Sequence, residues 1–391
     1  MKKRVLATLV SGVLVLSLAA CGGNGGTQDT GAAGSAETAE VPAGNEGAAE
    51  GGLKIGIVTS SGVDDGSFGQ DCYTGIVDFT KANPESGVTA VKEPDVGKIV
   101  QAVADVVADY DVMVMPGFQF AASGTIAMDN PDKKFILVDA FPKNGDEEVV
   151  LDNMYAMTFK EQESGFFAGL AAALESKTKK VAVVNGIAFP SNVNWQYGFM
   201  SGVNYANAHY DTGVTLVELP SYASSDVKNN PVGGNYIGSF ADQATGKVVG
   251  EALLAEGVDI MLVAAGDSGN GVFAAIKEAG DGIYAIGCDV DQYDDGETGT
   301  RNIILTSALK NMRPVVNARL EAIKAGTFKG ENAILGASDG ATGYVKTEGR
   351  HQLSADTITK LDEAFELVKD GTVVPASNFN GHMPADFPGL K

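Results

Sequence analysis

Of 391 residues, three are cysteine, three histidine and one tryptophan. Cys21, Cys72 and Cys288 lie too far apart for spacing to define a disulfide framework. There is no CxxC, no HExxH and no histidine cluster, since His209, His351 and His382 stand alone, so a structural or catalytic zinc site is not expected. Cys72, in an expected helix, and Cys288, at an expected strand end, read as small buried apolar residues. Positive charge is also short. Lys and Arg total 28 against 50 Asp and Glu, for a net charge of −22, which argues against nucleic acid or anionic lipid as the main partner. The apolar run Val5 to Leu18 falls short of the roughly 20 residues a spanning helix takes.

That run follows Lys2, Lys3 and Arg4 and ends in Leu18-Ala19-Ala20-Cys21. A basic start, a short apolar stretch and small residues mark a cleaved signal at 1–21. Its ending resembles a lipobox, which implies that Cys21 carries lipid and becomes the mature N-terminus; a secretory peptide with a chance Cys is the alternative. Residues 22–52, dominated by Gly, Ala, Glu, Thr and Asn with Val41 as the lone large aliphatic, cannot bury a core and read as a disordered tether. Ordered sequence is expected from Leu53, and the remaining chain of about 340 residues is more than one core holds, so two lobes are expected.

From there short β-branched runs alternate with helical stretches. Strands are expected at Lys54–Thr59, Asp111–Met115, Phe135–Asp139, Val181–Asn185, Val214–Leu219, Ile260–Ala264, Tyr284–Gly287 and Ile303–Thr306. Helices are expected at Phe68–Ala82, Val96–Ala108, Phe120–Asp129, Gln162–Glu175, Asn194–His209, Phe240–Ala255, Val272–Ala279 and Met312–Ala325, with a vaguer pattern at Thr357–Val368. Alternation of this kind implies α/β lobes with doubly wound parallel sheets, whose ligands sit at the C-terminal strand ends. The Ala/Gly-rich stretch Gly165–Leu174 suits close helix packing.

Two segments share a design. Ser67-Phe68-Gly69-Gln70 and Ser239-Phe240-Ala241-Asp242 each put Ser three residues before Gln or Asp at an expected helix start, the pattern of a capping box with Phe at the first helical position. Such a ring projects from the helix mouth, so one from each lobe would sandwich a flat ligand. Each ring sealing its own lobe is the plainer reading.

Together Val63-Asp-Asp-Gly-Ser-Phe-Gly-Gln70, Gly238-Ser-Phe-Ala-Asp242, Ala264-Ala-Gly-Asp-Ser-Gly-Asn-Gly-Val-Phe273, Ile286-Gly-Cys-Asp-Val-Asp-Gln292 and Leu305-Thr-Ser-Ala-Leu-Lys310 resemble the basic membrane protein family. Its members are lipid-anchored solute-binding proteins of ABC transporters, the better-known ones binding purine nucleosides. The resemblance runs from about Leu53 to about Lys346 and keeps motif order. It implies a type I periplasmic-binding-protein fold with a multi-strand hinge: lobe 1 at 53–158, lobe 2 at 159–305, a return to lobe 1 and hinge crossing at 306–345, and an extension at 346–391 with no assigned role. Crossings are implied near Tyr155, Thr306 and Gly343.

Carried over by position, the resemblance makes Phe68 and Phe240 the base-stacking pair and Asp65 a polar contact near the base. Asp139, Asp289 and Lys310 match family residues at the ligand, and Gly266 would let backbone approach the sugar. An ionised carboxylate accepts both hydroxyls of a cis-diol, which suits Asp289 to the ribose; an Asp that merely caps a turn and a merely solvated Lys are the plainer readings. The chain departs from the family in carrying Gly66 and Gly69 where Lys and Asn are usual, and Asp267 and Ser268 where small residues are common. Losing that Asn removes an amide able to read a purine edge, with Gln70 next door as its candidate replacement.

Two motifs mislead. Gly266-Asp-Ser-Gly269 resembles a serine-protease nucleophile segment, but no His motif accompanies it and it joins a strand to a helix. Asp289 to Glu297 departs from a calcium loop, with Thr300 at the twelfth position. Trp195 reads as a lobe 2 anchor or as part of the cleft rim, where its fluorescence would report binding. The expected protein is therefore a monomeric, extracytoplasmic, lipid-anchored nucleoside-binding protein that serves ABC permease subunits, with no cofactor, metal or catalytic residue. A sugar- or polyol-binding lipoprotein, a nucleoside sensor and an extracellular nucleoside hydrolase are the alternatives.

Overall fold

The structure, a computed structural model, describes residues 48–386. The expected signal, Cys21 and nearly all of the expected tether lie outside the described residues. The chain runs through β1 (Lys54–Thr59), α1 (Phe68–Ala82), β2 (Gly87–Lys92), α2 (Ile99–Val106), β3 (Val112–Pro116), α3 (Gly124–Asp129), β4 (Lys134–Val138) and β5 (Met154–Phe159). It continues with α4 (Glu161–Glu175), β6 (Lys180–Asn185), α5 (Pro190–Tyr210), β7 (Thr215–Leu216), β8 (Asn235–Tyr236), α6 (Gln243–Ala255), β9 (Ile260–Ala264), α7 (Asp267–Glu278) and β10 (Tyr284–Asp289). Last come β11 (Ile304–Lys310), α8 (Met312–Lys324), β12 (Glu331–Leu335), β13 (Thr342–Tyr344) and α9 (Ala355–Lys369).

Two sheets result. The first has the order β12-β5-β4-β3-β1-β2 and is parallel throughout. The second has the order β8-β6-β9-β10-β11-β13, with β7 beside the start of β6, and only β13 runs antiparallel. Central strands such as Ile260-Met-Leu-Val-Ala264 are buried along their whole length because helices cover both faces. Between the sheets the chain crosses three times: from β5 into α4, which packs on the second sheet; from β11 into α8, which packs on α1; and from β12 into β13. Asp71 on α1 fixes the return to the first sheet by accepting from the backbone N–H groups of Met312 (3.1 Å) and Arg313 (2.8 Å) at the start of α8.

Small residues let α4 and α5 meet backbone to backbone. A Cβ on Gly169 would fall 2.0 Å from the Phe199 carbonyl oxygen, and one on Gly202 2.1 Å from that of Phe166. Trp195 is buried in the same core, on the anchor side of the two readings.

Several boundaries differ from expectation. The helix expected from Val96 starts at Ile99 because Asp95 accepts from the Gly97 N–H in a tight turn. The Phe120–Asp129 helix divides into a 3₁₀ segment, Phe118–Ser123, and the short α3. Val214–Leu219 shrinks to Thr215–Leu216, since Asn235 bonds the Leu219 N–H and the Val217 carbonyl and ends the ladder. Beyond α9, residues 373–384 lie along α5, where Asn194, Ser201 and Asn204 bond to Asn378, Ala376 and Pro384.

Candidate functional site

Neither expected capping box forms. At α1 the cap is Asp65. Its carboxylate accepts from the backbone N–H groups of Ser67 (3.0 Å), Gly69 (2.9 Å) and Gln70 (3.0 Å) and from the Ser61 hydroxyl. Asp65 is thus buried beneath the helix mouth and does not line the cleft. Freed from capping, the Ser67 hydroxyl reaches the other sheet, to Asp289 Oδ2 (2.9 Å) and the Cys288 carbonyl (3.1 Å). Gln70 accepts from the Gly66 N–H and is likewise off the cleft lining. At α6 the cap is Asp242, through Thr245, so Phe240 precedes the helix by three residues.

Between the sheets lies a cleft open to solvent, lined by residues from the strand ends of both. Phe68, Asp139, Phe240, Gly266, Asp289 and Lys310, six of the residues singled out from sequence, line it together. Gly266 has φ 54°, and a Cβ there would crowd the Phe240 carbonyl and Ser61 Cβ at 3.3 Å.

Asp139 follows the last residue of β4 and Asp289 ends β10, so the two carboxylates come from equivalent places in the two sheets. Both adopt the left-handed backbone region, φ 65° and φ 68°, a conformation Asp tolerates at modest cost and one that clusters at functional sites. Lys310, the last residue of β11, sits between them, 2.7 Å from Asp139 Oδ2 and 3.7 Å from Asp289 Oδ1. A third carboxylate, Glu161 at the start of α4, lies 3.6 Å from the same ammonium. Burial works against the charge of Lys310, but Asp139, Asp289 and Glu161 more than offset it and hold its pKa above that of an ordinary lysine. Burial pushes Asp289 up, with Lys310 pulling it back. Burial also raises Glu161 to about 8, against the pull of Lys310 and with the help of Asp139.

One oxygen on each strand-end aspartate, Asp139 Oδ1 and Asp289 Oδ1, is buried without a hydrogen-bond partner. Unpaired buried oxygens are costly and call for donors. The Lys310 ammonium stands 4.6 Å from the centroid of the Phe68 ring. From the other sheet come Phe240 and Phe189, 6.0 Å apart, and Phe189 meets Phe118 of the first sheet at 5.4 Å.

Sequence reasoning missed Glu161, Phe118, Phe189, Gln119 and Asn192. Lys160-Glu-Gln-Glu163 reads as an ordinary polar helix start, and only the crossing of the chain between sheets turns Glu161 inward. Ser268 of the protease-like segment is tied to Asp242 and Ser239 behind the cleft. Asp291 and Asp294 of the acidic loop pair with Arg350. Cys72 and Cys288 are free and buried.

Two doubly wound sheets with a cleft at their strand ends make the periplasmic-binding-protein fold. Residues 53–377 match the family described as Bmp, ABC transporter substrate-binding protein PnrA-like, and the chain belongs to that family. It is similar to a "CD4+ T-cell-stimulating antigen" of Listeria innocua, 27% identical over 95% of this chain and 98% of that one. It is also similar to the "ABC transporter nucleoside-binding protein BmpA" of Lactococcus lactis, 27% identical over 85% and 88% of the two chains. Among solved structures, an ABC transporter solute-binding protein of Aeropyrum pernix K1 superposes with TM-score 0.70 at 22% identity, covering 84% of this chain and 94% of that one, which speaks to the fold.

Proposed function

We propose that the protein captures a nucleoside, a purine nucleoside foremost, and presents it to the permease subunits of its ABC transporter. The observation that carries this reading is the pair of oxygens without a hydrogen-bond partner, Asp139 Oδ1 and Asp289 Oδ1, held beside Lys310 between aromatic walls. Vicinal ribose hydroxyls supply two O–H donors that match two anchored acceptors. Phe68 and Phe240 would stack the base, and Gly266 leaves room for the sugar. The nucleoside named for the Lactococcus relative supports the same ligand class.

Binding would close the two lobes about their crossings, and the closed shape is what a permease recognises. In this reading the protein is a monomer, anchored through lipid on Cys21 at the extracytoplasmic face of the membrane, and performs no chemistry on its ligand. No helix among the described residues is long and apolar enough to cross a membrane. Asp65 acts at the ligand only indirectly, by holding the α1 mouth that carries Phe68.

The test is calorimetric titration of the protein from Gly22 onward, unfolded and refolded to strip carried-over ligand, with purine and pyrimidine nucleosides, free bases and sugars. One-to-one nucleoside binding that Phe240→Ala weakens but leaves measurable is the expected result. A response to sugars alone would move the ligand to a polyol, and release of free base during incubation would make the protein a hydrolase.

A further inference from the structure

The cleft has a charged end and an aromatic end. Lys310, Asp139 and Asp289 make the first, while Phe240, Phe189 and Phe118 run in ring contact along the second. If the sugar occupies the charged end, the edge of the stacked base meets whatever polar groups stand beside those rings.

Few of these groups are open. Ser61 donates to Asp65. Asn192 gives its amide hydrogens to the Ala264 carbonyl (2.9 Å) and to Asn185 Oδ1 (3.3 Å). Because a carbonyl only accepts, Asn192 is fixed with Oδ1 as its remaining group. Gln119 differs. It follows Phe118 directly, lines the cleft, and makes one bond, from Nε2 to Ser60 Oγ at 3.2 Å. Its carbonyl oxygen and second amide hydrogen remain open. The side chain is also held in place. Gly117, at φ 132°, lies so close that a Cβ there would fall 2.4 Å from both amide heteroatoms, so the amide folds against bare backbone.

We propose that Gln119 is the specificity-determining residue that reads the hydrogen-bonding edge of the base, taking the place of the amide that Gly69 and Gln70 do not supply. This rests on the nucleoside reading above. An amide offers one donor and one acceptor side by side. Adenine answers with its N1 acceptor and 6-amino donor, guanine with its O6 acceptor and N1–H donor, in the opposite order. Ser60 both donates and accepts, so it holds the amide in either orientation, and Gln119 accommodates both edges. A carboxylate at the same place is acceptor-only. It matches the N1–H and 2-amino donors of guanine and faces the N1 lone pair of adenine with a second lone pair.

The experiment titrates adenosine and guanosine into the wild-type protein, Gln119→Ala and Gln119→Glu at pH 8.5, where the introduced carboxyl is ionised, with melting temperatures to confirm folding. Wild type should bind the two within about tenfold of each other, and Gln119→Ala should weaken both about tenfold. Gln119→Glu should keep guanosine and lose adenosine by roughly a hundredfold. A wild-type protein that binds neither nucleoside overturns the functional reading and this inference with it. Nucleoside binding with an unchanged adenosine-to-guanosine ratio in Gln119→Glu, or unchanged affinities in Gln119→Ala, overturns this inference alone.

Discussion

Gly186 lies directly beneath Phe240: a Cβ on Gly186 would sit 2.3 Å from ring carbons Cδ1 and Cε1. The residue after β6 therefore decides where the ring stands. Gly186→Ala should push the ring out of its seat and weaken ligand binding about tenfold, while Phe240→Ala should make the Gly186 change nearly neutral. A double-mutant cycle read by calorimetry measures that coupling, and additive losses would separate the two residues.

Asp289 has one oxygen engaged by Ser67 and one without a hydrogen-bond partner. In Asp289→Asn one of the acceptors becomes an N–H donor. The expected result is a fall of ten- to a hundredfold in ribonucleoside affinity, with 2′-deoxynucleosides losing less. Equal losses for the two sugars would remove the diol from the account.

Asp65 closes the α1 mouth with three backbone hydrogen bonds and one hydroxyl. Asp65→Ala leaves those donors unpaired and should destabilise the protein by about 2–3 kcal/mol, above an ordinary cap because the site is buried. Urea unfolding gives the number. Ligand affinity should fall as well, since Phe68 is the first residue of that helix.

Glu161 gives a pH dependence with a definite sign. Burial raises its pKa from the ordinary 4.5 to about 8 in the folded protein, so the folded state holds a proton that the unfolded chain releases. Its contribution is fully favourable below about pH 4.5 and is lost as pH rises towards 8. Glu161→Gln copies the protonated form at every pH. The variant should match wild type near pH 5 and exceed it near pH 9 by a few kcal/mol, as thermal denaturation across pH would show; parallel curves would mean that Glu161 stays ionised.

Trp195 is 2% exposed and packed within the second sheet's core. Its emission should be blue-shifted and change little on ligand addition. A large change would require the closure of the cleft to reach the α4–α5 interface.

Much of this was written in short-range pattern. The α1 helix and the strand Ile260–Ala264 appear with the boundaries their periodicity predicts, because Ser67 and Asn83 bound a helix with one buried face and the strand is buried along its whole length. Asp139, Asp289 and Lys310 were singled out by resemblance to the family; the two aspartates close apolar strands, whereas Lys310 lay beyond the expected strand end at Thr306 and is carried by a strand that runs on to it. What the pattern hid depends on partners distant in sequence. The edge strand Gly87–Lys92 alternates too weakly to register, with its second half mostly exposed. Met154–Phe159 has one β-branched residue and is recognisable only by its place between β4 and β12. The capping box at α1 failed because Asp65, two residues ahead of Ser67, reaches the helix-mouth N–H groups with a carboxylate; the one at α6 failed because Asp242 itself caps the helix through Thr245, and no spacing rule ranks those competitors.

The three crossings of the chain between the sheets bear on how such a cleft selects its cargo. A joint tied at one point swivels; a joint tied at three bends and resists twisting. Asp139 and Asp289 belong to different sheets, so any twist would slide one acceptor past the other and blur the spacing between them. In the proposed reading, restricting the motion to a bend would return the two carboxylates to one separation at every closure, and the crossings would act as a ruler for the distance between two hydroxyls.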